Sequence, residues 1–137
     1  MLSCHCLALR RASRTATSFY DAALAPAGLT VAQFAMLRQL QALGRVGISR
    51  AAQAMQLDRT TLGRNLGPLE RGGMVRIVAG ETDGRQRMIE VSDRGDQAVR
   101  QAIPAWKSAQ AAVDGKLDPS RLALLHELLA EFEMIVS

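Results

Sequence analysis

The sequence is poor in the residues that catalysis, metal binding and membrane insertion need. Its 137 residues include two histidines, two cysteines and 4% aromatics. There is no Gly-rich phosphate loop, no Ser-His-Asp set and no pair of histidines at metal-ligand spacing, so neither an enzyme nor a cofactor is expected. His5 and His126 read as surface or packing residues. Cys4, His5 and Cys6 are adjacent, and three adjacent ligands rarely close around one ion, so no metal is expected. No run of about 18 apolar residues exists, which excludes a helical membrane span. MLSCHCLALRRASR is too polar and arginine-rich after Leu9 for a secretory signal, so a cytoplasmic location with reduced thiols is expected. Lysine is scarce as well: only Lys107 and Lys116 occur, and arginine carries the net charge of +4.

What is present favours helices. The hydrophobic fraction is 48%, ample for one core, and Ala and Leu dominate it. Charge is uneven along the chain. Residues 45–94 carry nine arginines against six acids, whereas residues 95–137 carry four basic and six acidic side chains. A basic middle suits a polyanionic partner, and arginine's planar fork suits phosphate and guanine.

The organising stretch is Ile48–Gly73, ISRAAQAMQLDRTTLGRNLGPLERGG. Its spacing predicts a first helix over Ser49–Met55, a turn through Gln56 and Leu57, and a second helix capped by Asp58. Leu62, Leu66 and Leu69 form one buried stripe. The opposite face offers Arg59, Thr60, Thr61, Arg64 and Asn65, side chains that reach phosphates and base edges in a major groove. This is a helix-turn-helix pattern. A solvated polar face on an ordinary helix pair is the alternative. Gly63, Gly67 and Pro68 weaken the second helix, at about 1 kcal/mol for each glycine and about 3 for the proline. A bend after Asn65 is expected.

Elsewhere the periodicity predicts a helix over Leu2–Leu24, ended by Pro26 and Gly28, and a Thr30-capped helix over Val31–Leu43 with Phe34, Leu37 and Leu40 on one face. Gly44–Gly47 is a loop, and Ile48 is an extended residue able to pair with a later hairpin. Met74–Ala79 and Met88–Ser92 alternate as strands around the polar loop Gly80–Arg87. Such a basic hairpin after a helix-turn-helix is a wing. Arg85 and Arg87 are its expected DNA contacts, with Asp83 pairing with Arg85 to aim it. Ser92 or Asp93 caps a helix from Arg94 to about Asp114, kinked or broken at Pro104. Asp118 caps Pro119–Val136. The apolar faces of the first and last two helices exceed what the wing needs, so a two-fold dimer is expected.

This order resembles the MarR family of bacterial transcription regulators over nearly the whole chain. The matching segments are AGLTVAQFAML (Ala27–Leu37), LDRTTLGRNLGPLERGGMV (Leu57–Val75) and TDGRQRMIEVSDRG (Thr82–Gly95), the last with Asp83, Arg85, Ser92 and Gly95 in the wing pattern. The sequence departs at Gly63, where Thr is common, and at Pro68. The resemblance implies a mainly α fold with a small β-hairpin wing. Residues 1–137 would form one domain, with a winged helix-turn-helix lobe over 30–92 and dimerisation helices over 1–24 and 94–137. It implies a homodimer on a pseudo-palindromic operator in double-stranded DNA, usually a repressor, released by a small molecule or an oxidant. Ser49, Arg59, Thr60, Thr61, Arg64, Asn65, Asp83, Arg85 and Arg87 are the candidate DNA contacts.

Two modes of release stay open. The first is a lipophilic or aromatic ligand in a pocket near Arg14, Phe19, Tyr20 and Phe34. The second comes from Cys6–Thr30, which is similar to the first helix of the organic-hydroperoxide-sensing branch. Cys6 stands at the reactive position and Tyr20 at one of the two tyrosines that hold the thiolate, with Val31 in place of the other. Nearby Arg10 favours a thiolate, and oxidation to sulfenic acid can end in a disulfide. Cys4 is near, but two cysteines two apart within a helix point away from each other, so a bridge between subunits is easier. Cys6 as a small buried hydrophobe is the plain alternative. A further function class is a helical protein-interaction module without DNA binding, favoured only by the glycines and Pro68.

Overall fold

The computed structural model describes residues 3–137. Helix α1 spans His5–Leu24. The expected start at Leu2 lies outside the described residues, and Cys4 occupies the N-cap in extended backbone. A short 3-10 turn, Ala25–Ala27, and Gly28 at φ 78° end the helix. Helix α2, Val31–Leu43, begins with a capping box: the Gln33 N–H donates to Thr30 Oγ1 at 3.1 Å, and the Thr30 N–H donates to Gln33 Oε1 at 3.0 Å. The next free donor, the Val31 N–H, reaches the Asp21 carboxylate at 2.8 Å, which ties the end of α1 to the start of α2.

Strand β1 is Val46–Gly47, and helix α3 is Ile48–Ala54. The strand pairing expected of Ile48 therefore falls on Val46 and Gly47 instead. Ile48 already belongs to the helix and packs against the core. Helix α3 ends with the Leu57 N–H on the Ala52 carbonyl and the Gln56 N–H on the Gln53 carbonyl. This is a Schellman end, with Gln56 at φ 56° where glycine is usual. Helix α4, Arg59–Arg71, runs through Pro68 without interruption and closes the same way, with Gly73 at φ 72°. Leu62, Leu66 and Leu69 are almost wholly buried. At about 2 kcal/mol each they offset the two glycines and the proline.

Strands β2 (Val75–Ala79) and β3 (Arg87–Val91) form the wing, and β1 adds to the other side of β3 in an antiparallel order β1-β3-β2. Ile89 lies between Val46 and Ile77 and is fully buried. Strand β2 begins one residue later than expected and β3 is shifted one residue toward the loop, because Met74 and Ser92 have other tasks. The Met74 N–H closes α4 on the Leu69 carbonyl, and its own carbonyl accepts the Ser92 N–H.

Helix α5 spans Asp93–Asp114 as one helix, capped by Ser92. Pro104 does not divide it. The buried Ala98, Val99, Ala102 and Ala109 hold both halves to the body, while Pro104 and Arg100 face solvent, where the carbonyl that loses its N–H partner can be hydrated. Helix α6 spans Pro119–Val136. Asp118 stands at its N-cap, but its carboxylate meets the Ser120 hydroxyl at 3.4 Å, and the Asp118 backbone carbonyl takes the Arg121 and Leu122 N–H groups. No residue of α6 is buried, and Met134 and Ile135 are 80% and 77% exposed. The core lies between α2, α4, the sheet and the first half of α5, around Leu37, Leu40, Leu66, Val75 and Val99.

Candidate nucleic-acid interface

Burying the leucine stripe of α4 turns Thr60, Arg64 and Asn65 outward, and all three are exposed. The helix start is fixed by Asp58. Its Oδ1 accepts the Thr61 N–H at 2.7 Å, and its Oδ2 accepts the Thr61 hydroxyl at 3.0 Å. The Thr61 backbone bond, then its hydroxyl bond, and the nearby Arg64 guanidinium hold the Asp58 carboxyl below the ordinary carboxylate range. Thr61 is thus engaged within the cap, unlike its outward neighbours.

Beside α4 the sheet brings α3 and the wing together around a groove of about 540 Å³. Ser49, Arg50, Arg59, Arg85 and Arg87 line it. These four arginines and Arg64 are exposed, and among the described residues none joins an ion pair. Arg45, at the groove edge, behaves differently. Its guanidinium donates to Glu81 Oε1 and to the Ala79 carbonyl, both at 3.2 Å, and so braces the base of the wing.

The wing loop is closed by the Gly80 N–H on the Gln86 carbonyl at 2.8 Å and by the Gln86 N–H on the Asp83 carbonyl at 3.0 Å. Asp83 Oδ1 accepts the backbone N–H of Arg85 at 3.0 Å. The carboxylate therefore shapes the tip, and the guanidinium stays free. Arg87 is on β3 opposite Ala79, not at the tip.

The structure thus gathers Ser49, Arg59, Arg85 and Arg87 on one groove and sets Thr60, Arg64 and Asn65 on the exposed face of α4. Sequence reasoning missed Arg50, whose only signal was its place beside Ser49. It also missed Arg45, which looked like a loop residue until β1 placed it by the wing.

The four candidate pocket residues do not line one pocket, although Phe19 and Tyr20 pack edge to face at 5.5 Å between ring centroids. Phe19 and Tyr20 line a groove of about 640 Å³ between α1 and α5, with Arg11 and Lys116 beside them. Tyr20 donates to Gln110 Oε1 at 2.5 Å. Phe34 lies in a second groove, of about 590 Å³ between α2 and α5, stacked on Trp106 at 6.0 Å between ring centroids, with Arg38 and Lys107 at hand. Arg14 is on another surface, with Leu9, Arg10 and Ser13.

Both thiols are free; Cys4 is half-buried and Cys6 is exposed, not a buried hydrophobe. Cys4 precedes the helix, so the two cysteines do not share a helical segment. Tyr20 is 14 residues beyond Cys6 on the same helix. At 1.5 Å per residue that separates their backbones by roughly 21 Å, so Tyr20 cannot hold the Cys6 thiol of its own chain. Among the described residues no helix is long and apolar enough to cross a membrane.

No protein-family model matches the chain, and no curated protein matches it. Solved structures do. The transcriptional regulator MosR of M. tuberculosis, in complex with DNA, is 35% identical, with a TM-score of 0.80 over 98% of this chain and 100% of that one. MarR of E. coli, complexed with operator DNA, shares the fold at 18% identity and a TM-score of 0.82, over 90% and 89% of the two chains. BpsR of Bordetella bronchiseptica, whose DNA binding is regulated by 6-hydroxynicotinic acid, shares it at 20% identity and a TM-score of 0.82, over 96% and 94%. With a three-stranded wing, a basic groove beside an exposed helix and a DNA-bound relative at this identity, the chain is a DNA-binding winged-helix transcriptional regulator and belongs to the MarR family.

Proposed function

We propose that the protein is a homodimeric repressor of a pseudo-palindromic operator and acts by binding, not catalysis. The observation that carries this reading is the convergence of Ser49, Arg50, Arg59, Arg85 and Arg87 on one groove beside the exposed face of α4. In this reading Thr60, Arg64 and Asn65 meet base edges, and the groove and wing arginines hold phosphates on either side. Arg45 and Asp83 position the wing. The dimer is supported by α6, whose Leu124, Leu125, Leu128, Leu129 and Ile135 are exposed on one chain. A dimer sets two recognition helices about one duplex turn apart.

Release by a lipophilic or aromatic acid is supported by the Phe34–Trp106 groove, which offers the half-buried Trp106 ring beside the Arg38 and Lys107 cations. The ligand would favour a spacing of recognition helices that no longer fits both half-sites. A second reading is favoured by the backbone at Cys4, which is extended and outside α1 while Cys6 sits in the first turn. In it a hydroperoxide oxidises the Cys6 thiolate to a sulfenic acid. The Cys4 thiol then attacks that sulfur, and a disulfide forms as water leaves.

A gel-shift titration tests both. The probe is a duplex selected by the reduced protein from a randomised pool. Loss of binding on adding benzoate, unchanged in Cys6→Ser, supports ligand release. Loss on adding cumene hydroperoxide, abolished in Cys6→Ser, supports the thiol. A parent protein that selects no duplex contradicts the repressor reading.

A further inference from the structure

We propose that Gly63 is the point at which α4 lies closest to DNA, its bare backbone set against a base-pair edge. The inference rests on the DNA-binding reading above. Several glycines elsewhere in the chain have reasons inside it, and Gly84, which is equally open, lies in the turn of the wing loop. Gly73 adopts φ 72°, a Cβ on Gly80 would come within 2.7 Å of the Asp83 carbonyl oxygen, and one on Gly95 would collide with the Met74 carbonyl.

Gly63 has no such reason. Its backbone is helical and outside the left-handed region, it is exposed, and a Cβ built on it meets nothing within 4 Å. Alanine would fit there without moving an atom and would strengthen a helix that already contains Gly67 and Pro68. The chain therefore keeps a weak helix former where its own packing does not ask for one. Close approach of backbone to a ligand is the remaining use of a glycine in such a place.

The neighbours of Gly63 identify the ligand. Arg59 and Thr60 lie one turn before it and Arg64 directly after it, all exposed. The two arginines are outside every ion pair among the described residues. Cations that bind phosphate would draw this strip of helix against a duplex. A methyl group at position 63 would then hold the helix off the base pair, while Arg59 and the wing arginines could still reach phosphates.

The test compares the parent with Gly63→Ala by fluorescence anisotropy and thermal melting. One duplex is selected from a randomised pool by the parent; the other is a random duplex of equal length. The variant should melt about 3 °C higher. It should bind the random duplex as the parent does and the selected duplex at least tenfold more weakly. Unchanged affinity for the selected duplex overturns the proposal. So does a lower melting temperature, since the glycine would then serve the fold, and so does an equal loss on both duplexes, since the contact would then be to the backbone alone. If the parent itself discriminates no duplex, the repressor reading fails, and this inference fails with it.

Discussion

The hydroxyl of Ser92 donates to the carbonyl oxygen of Gly73 at 2.5 Å and accepts the N–H of Gly95 at 3.1 Å. One buried side chain thereby joins the end of α4, the root of the wing and the start of α5. The Met74 carbonyl accepts the Ser92 N–H from the other side. Gly95 must be a glycine, because a Cβ there would collide with that carbonyl and come within 2.7 Å of Val91 Cγ1. Helix α4, the wing and α5 are therefore tied together at this joint.

Ser92→Ala removes an N-cap and leaves the Gly73 carbonyl without its donor. The expected loss is about 2 kcal/mol, measured by urea unfolding. Gly95→Ala should cost more, about 3 kcal/mol, because backbone must move. A Ser92→Ala protein as stable as the parent would contradict the joint.

Gln56 ends α3 in the left-handed conformation, which costs a side chain about 1 kcal/mol. Gln56→Gly keeps the backbone bond to the Gln53 carbonyl and removes the strain. It should raise stability by about 1 kcal/mol, less a few tenths for the greater freedom of the unfolded chain. A destabilised variant would mean that the glutamine side chain contributes to the turn.

Local signals carried much of the fold. Thr30 before a helical apolar stripe, Asp58 before a leucine stripe, and alternation on both sides of Gly80–Arg87 each depend on residues within one or two turns, so spacing suffices to read them. What depends on distant residues was hidden. Strand pairing fell on Val46 and Gly47 because β3 chose its partner by burying Ile89. Pro104 was tolerated because residues on both sides of it are held to the core. Arg45 acquired a role only through Ala79 and Glu81, and Arg50 through the nearness of the wing. Phe19 and Phe34 are both apolar residues in the first two helices, and no periodicity tells that they line different grooves.

Asp58 makes the stability of the helix start depend on pH. Its carboxyl titrates below the ordinary range because the charged form is bonded to Thr61. A depressed folded value means that the contribution is complete above the unfolded pKa and is lost as pH falls through the folded value. The parent should therefore melt above Asp58→Ala by a constant margin from about pH 5 to 8, and the margin should shrink below about pH 4. A margin that is unchanged at low pH would show that the carboxylate charge is not involved.

The exposed leucines of α6 predict assembly. Leu128→Glu with Leu129→Glu should shift the protein from dimer to monomer in sedimentation equilibrium, and operator binding should weaken by at least tenfold. The wing lobe is distant in sequence and should keep its helical signal. A parent protein that sediments as a monomer at micromolar concentration would rule out the dimer.

The most direct test of the division between reading helix and holding wing is an anisotropy titration across salt concentrations. It uses the parent, Arg64→Ala and Arg85→Ala on a selected and a random duplex. The parent should prefer the selected duplex, and its affinity should fall steeply with salt. Arg64→Ala should lose about 1–3 kcal/mol on the selected duplex and little on the random one. Arg85→Ala should lose similar affinity on both, with the salt slope reduced by about 1 for each bound chain. Equal losses on both duplexes from both variants would contradict the account, and α4 would then be a backbone-binding helix.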